Sequence, residues 1–95
     1  MSTRDAYVDK IKAQIDEWNA QIDRMEAQAR KSQAEARLQL EATVEEMRAK
    51  RDEAERKLDE ARNASMDAWK DMRSGFEAAW DGLVRSFENA ARRFR

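Results

Sequence analysis

Proline is absent from this 95-residue chain, and glycine occurs only at Gly75 and Gly82. Both residues interrupt helices, proline by removing an N–H and glycine through its backbone entropy. With so few breakers the chain has few natural places to turn. The bulk of what remains is Ala, Glu, Gln, Arg, Lys, Leu and Met, all good helix formers. The expected fold class is therefore all-α: a long amphipathic helix of coiled-coil type. At this length the chain is at most one small domain.

Apolar residues set the periodicity. From Val8 they recur at spacings of three and four: Val8, Ile11, Ile15, Trp18, Ile22, Met25, Ala29. Each step stays on one helix face. The letters repeat as well as the hydropathy. Ala13-Gln14-Ile15-Asp16 recurs seven residues later as Ala20-Gln21-Ile22-Asp23, and in degenerate form as Ala27-Gln28-Ala29-Arg30. A seven-residue period favours a left-handed supercoil. The seam continues more thinly through Ala36, Leu40, Val44, Met47, Ala54, Leu58 and Ala61. The Ala36–Leu40–Val44 spacing reads as a stutter, and Arg51 occupies a seam position from which its head can reach water. Glu46–Lys50, Asp52–Arg56 and Glu53–Lys57 have the i,i+4 orientation that supports a solvated helix by roughly 0.2–0.5 kcal/mol each.

The last third has another rhythm. Ser65-Met66-Asp67-Ala68-Trp69 aligns with Phe76-Glu77-Ala78-Ala79-Trp80 and then Phe87-Glu88-Asn89-Ala90-Ala91, eleven residues apart. That period places Trp69, Met72, Phe76, Trp80, Leu83, Phe87 and Phe94 on one stripe, with Ala68, Ala79 and Ala90, and predicts a straight or slightly right-handed path. The chain thus divides into residues 1–64, a heptad coiled-coil helix, and 65–95, an aromatic amphipathic helix with eleven-residue repeats. Asn63-Ala64-Ser65 lies between them. Asn and Ser can cap or turn a helix, or sit exposed within one, so a break near 63–66 stays open.

Large apolar residues are few, and a small domain buries a small share of its surface. The seam of Val8, Ile11, Ile15, Trp18, Ile22, Met25, Leu40, Val44, Met47 and Leu58 is therefore expected to find cover in a second copy. A continuous helix would be about 130 Å long. The favoured arrangement is an elongated antiparallel homodimer, with residue i opposite roughly 97 − i and Trp18 near Ala79–Trp80. A higher helical bundle is the other self-associated form. If the chain instead turns near residue 64, the C-terminal helix covers residues of about 30 to 62, and Ile11, Ile15, Trp18 and Ile22 are left to pair in trans.

The charge balance and missing residue types exclude much. Nineteen basic and 20 acidic residues give a net charge of −1. No field of one sign is available to recruit nucleic acid. With no cysteine and no histidine, thiolate chemistry, disulfides, and the commonest general base and metal ligand are all missing. Carboxylates are plentiful, but acid–base catalysis needs a partly dry cleft that separates two pKa values; a charged helix face provides none. The chain reads as non-enzymatic, with no cofactor, metal, nucleic acid or small-molecule substrate. The N-terminus lacks an apolar signal region and no run of roughly 18 apolar residues occurs, so the expected location is the cytoplasm.

The C-terminal stripe has two readings. It can pack on a partner helix, with Arg85, Arg92, Arg93 and Arg95 complementing the helix dipole. It can instead lie in a lipid interface, apolar face inward and arginines at the headgroups. Self-association is the first expectation and a membrane surface the alternative.

YVDKIKAQIDEWNAQI (Tyr7 to Ile22), RAKRDEAERKLDEA (Arg48 to Ala61) and SMDAWKDMRSGF (Ser65 to Phe76) resemble a family of small bacterial coiled-coil proteins, usually uncharacterised or labelled as stress-response proteins, with a distant apolipoprotein-like label. Trp18 and the Trp69–Trp80 pair are the more distinctive part. The resemblance implies a bacterial, cytoplasmic, helical protein without catalytic residues.

Overall fold

A computed structural model describes residues 3–93. It contains three helices: α1 (Thr3–Lys31), α2 (Ala34–Asn63) and α3 (Met66–Arg92). All-α is the fold class, as the composition requires. The rest of the architecture departs from a single long helix. The principal extents are 52 × 19 × 17 Å, against the ~130 Å of a continuous helix.

The segment 1–64, expected as one helix, is divided at Ser32-Gln33. The Ser32 N–H donates to the Ala29 carbonyl at 3.1 Å, and its hydroxyl donates to the Gln28 carbonyl, also at 3.1 Å. Serine competes in this way for carbonyls that would otherwise continue a helix. Gln33 is extended, with φ −69° and ψ 161°. The seam explains why a turn is tolerated here: between Met25 and Leu40 it carries only alanines, so little burial is lost. Leu38, the large apolar residue of this stretch, is off the seam and 69% exposed. Arg30 and Lys31 close α1 and Glu35 opens α2, each matching the sign of its helix end.

The second turn lies at Ala64-Ser65. Ala64 and Ser65 are both extended. The Ser65 hydroxyl accepts from the Ala68 N–H at 3.1 Å, a side-chain N-cap for α3. Asp67 adds an acidic residue to the first turn.

Long-range contacts fix the directions. Arg48 of α2 bonds to Glu26 and Arg51 to Asn19, so α1 and α2 are antiparallel. Glu46 pairs with Arg93, while Lys57 lies over the Phe76 ring, which makes α2 and α3 antiparallel too. α1 and α3 are then parallel: Tyr7 meets Trp69 and Phe76, and Trp18 meets Trp80 and Phe87.

Both expected layouts left the isoleucine end to be covered by another chain. Here Ile11, Ile15, Trp18 and Ile22 are buried within the same chain. The physical reason is the first turn, which folds α2 back on α1 and delivers α3 to the remaining side. The expected pairing of Trp18 with Trp80 does occur, but in cis and between parallel helices. The expected i,i+4 pairs are also redirected. Glu46 reaches Arg93, Lys50 pairs with Glu53, and Lys57 with Glu60.

Candidate interaction surface

Helix α3 supplies most of the aromatic core. Its buried residues are Trp69, Phe76, Trp80, Leu83, Phe87 and Ala90. Their spacings are seven, four, three, four and three, so the inward set follows a three-four rhythm. Ala68 and Ala79, which the eleven-residue alignment put on the same stripe, are exposed. Met72 is half-buried. Phe94 lies outside the described residues.

Two ring clusters join α1 to α3. Near the N-terminus of both helices, Tyr7 meets Trp69 at 5.7 Å and Phe76 at 5.5 Å, and Trp69 meets Phe76 at 5.2 Å. Further along, Trp18 stacks on Phe87 at 4.1 Å with 7° between planes, and on Trp80 at 5.8 Å and 19°. Aromatic pairs contribute about 0.5–1.5 kcal/mol each beyond their buried area. The Trp69 indole Nε1 is buried without a hydrogen-bond partner; an orphan donor costs roughly 1–3 kcal/mol. Burial raises the Tyr7 pKa, and Glu77 and Asp81 raise it further. Lys10 lies 5.3 Å above the same ring.

The buried residues of α1 and α2 are otherwise aliphatic or small: Ile11, Ile15, Ile22, Ala29, Val44, Met47, Ala54, Leu58 and Ala61. Ile15 with Leu58, and Ala29 with Val44, line the α1–α2 side. Val8, Met25 and Leu40 are half-buried. Guanidinium groups clamp the edge. Arg48 bonds to Glu26 and to Glu45, both at 2.5 Å, and Arg51 Nη1 donates to the Asn19 amide oxygen at 2.7 Å. Hydrogen bonds from Arg30 and Arg48 lower the Glu26 pKa, and those to Glu45 and Glu26 raise that of Arg48. Near the N-terminus, Arg4 donates to the Ala64 carbonyl at 2.7 Å, closing the second turn against α1.

The sequence-predicted seam and aromatic stripe thus converge on one core. Tyr7 and the clamping residues Glu26, Asn19, Arg48, Arg51 and Arg93 were not legible as contacts. Their partners on other helices are 22 to 69 residues away in sequence, so no local spacing marks them. Tyr7 alone carried a signal: it precedes Ile11 by four and borders the apolar face.

Between α1 and α3 an open groove of about 610 Å³ is lined by Trp18, Met25, Phe87 and Ala91, with Glu17, Arg24, Glu88 and Arg92 on its rim. Both signs of charge stand side by side there. Among the described residues, no group of three or more acidic side chains could hold a metal ion, and no helix is long and apolar enough to cross a membrane. No protein-family model, no curated protein and no solved structure matches the chain.

Proposed function

We propose that this chain is a non-enzymatic helical interaction protein whose principal partner is a second copy of itself. One observation carries this reading: the helix faces of the chain are complementary to one another. The stripe of α1 is covered by α2 and α3 together, and outside the core only Leu38 and Met66 are large apolar residues exposed among those described. A second copy brings the same faces, and what fits in cis fits in trans. The heptad face of residues 8–29 is covered within the chain, so association exchanges a covered face for the same face of the second copy. The non-catalytic part draws support from the sequence, which has no histidine and no cysteine, the commonest general base and the thiolate nucleophile. The bacterial and stress-related setting rests on the resemblance alone.

The competing function is binding at a lipid surface. Trp69, Phe76, Trp80, Leu83 and Phe87 form the most amphipathic helix face of the chain, but they point into the bundle, so α3 would have to leave before meeting lipid. Sedimentation equilibrium over a dilution series tests self-association; a mass that grows with concentration is expected. A constant monomer mass, with co-sedimentation on anionic vesicles, would replace this reading with the lipid one.

A further inference from the structure

The turn between α2 and α3 is almost helix already. The Ala64 N–H donates to the Glu60 carbonyl at 3.1 Å, and the Ser65 carbonyl accepts from the Trp69 N–H at 2.8 Å. Both are i to i−4 bonds, so helical hydrogen bonding reaches the turn from each side. Only Ala64 and Ser65 depart. Their φ values, −72° and −67°, are helical; their ψ values, 134° and 165°, are not. The turn contains no glycine, proline or positive φ. Rotating ψ at these two residues makes α2 and α3 one helix of roughly 90 Å. The change forms the backbone bonds that the turn leaves unmade at the end of α2 and the start of α3. It gives up the Ser65 cap and the Arg4 bond to the Ala64 carbonyl.

Straightening alone would strip α3 from its core. A second copy restores it. The midpoints of the Glu46–Arg93 and Lys57–Phe76 pairs both fall in the first turn of α3. Two straightened helices in that antiparallel register therefore cross at a twofold axis beside the former turn. Each α3 then lies on the α1–α2 hairpin of the other copy, with every contact it had in cis.

We propose that this protein self-associates by exchanging α3, with Ala64-Ser65 as the hinge, so that the Trp18–Trp80–Phe87 stack forms between two chains. The proposal rests on the self-association reading and specifies its mechanism. The first turn is the poorer hinge. Its far side is equally helical, with the Arg37 N–H donating to the Gln33 carbonyl at 2.7 Å, but on its near side Ser32 is bound by its N–H to Ala29, three residues back, and by its hydroxyl to Gln28.

The test uses Met66→Pro. Met66 is the first residue of α3 and 45% exposed, and the first helical position accepts proline. Ser65 is already extended, as a residue preceding proline prefers. Proline there is compatible with the turn and incompatible with a continuous helix. Ala34→Pro does the same at the first turn and serves as the control. Each protein is refolded from denaturant at several concentrations, to equilibrate exchange, and its mass is measured by sedimentation. Exchange predicts a wild-type dimer, an unchanged Ala34→Pro dimer, and dimerisation at least ~100-fold weaker in Met66→Pro. Ser65→Ala, which removes the cap from both closed monomers, should strengthen dimerisation by roughly 30-fold, about fivefold for each hinge straightened.

A second measurement does not depend on how the proline variants fold. The chain has no cysteine, so Glu46→Cys and Arg93→Cys chains, refolded together with a short bismaleimide, should link between chains. A dimer that survives Met66→Pro, or that gives no link between chains at 46 and 93, overturns the exchange and leaves self-association standing. A wild-type protein that is monomeric at every concentration overturns both.

Discussion

Helix α1 faces its two neighbours with different materials. Toward α3 it presents Tyr7 and Trp18, which meet four rings of that helix. Toward α2 the side is aliphatic and small, and its edges are tied by Arg48 and Arg51. Rings reach across a wide gap and tolerate a groove beside them. Aliphatic and alanine side chains need close helices, and close helices bring long charged side chains within bonding distance. The ring side therefore concentrates its stabilisation in a few large residues, while the aliphatic side spreads it over many.

This contrast can be broken by experiment. The largest effect is expected from Trp18→Ala, which removes a ring stacked on both Trp80 and Phe87. A loss of about 3–5 kcal/mol is the usual range for such a truncation, enough to unfold a marginal domain, and urea denaturation followed by circular dichroism measures it. Met47→Ala, at a fully buried position on the aliphatic side, should cost less, about 2–3 kcal/mol, toward the low end for Met→Ala. Equal losses in the two variants would refute the concentrated-against-spread distinction.

The third prediction has the opposite sign. Gly75 and Gly82 lie inside α3 with helical backbone, and nothing stands within 4 Å of where a Cβ would go. Each Gly→Ala change should stabilise by about 0.5–1 kcal/mol, seen as a raised thermal midpoint. A lowered midpoint would mean that the outer face of α3 is covered by something in solution.

The smallest effect belongs to the charged edge. The Glu26 pKa is lowered in the fold by Arg30 and Arg48. A lowered carboxylate pKa stabilises above the unfolded-state value, and that contribution disappears as pH falls through the folded-state value. Glu26→Gln should therefore be slightly less stable than wild type at neutral pH and indistinguishable from it in acid. A difference that persists at low pH would show that Glu26 acts by packing and not by charge.

Trp18 and Ile15 were legible as buried because each sits on an apolar face set by three-four spacing, and Phe76 because the eleven-residue alignment puts it on the aromatic stripe. Arg48 and Glu26 were not legible as a clamp, because 22 residues and a turn separate them and charge alone names no partner. The turn at Ser32-Gln33 is not legible either, for a related reason. Nothing in Lys31-Ser32-Gln33 forbids a helix, and the break depends on what the helix would bury beyond it. In the seam that was only alanine until Leu40.

The sequence by itself determined helix, apolar faces and the absence of His and Cys chemistry, since these follow from residue type and spacing along one chain. Only the tertiary structure decided that those faces meet within one molecule. At Ala64 and Ser65 the choice is a rotation about ψ that either residue accepts, so local preference does not settle it. In a lone straightened chain the rings of α3 would lose Tyr7 and Trp18, so the choice rests on burial that only packing against α1 and α2 supplies.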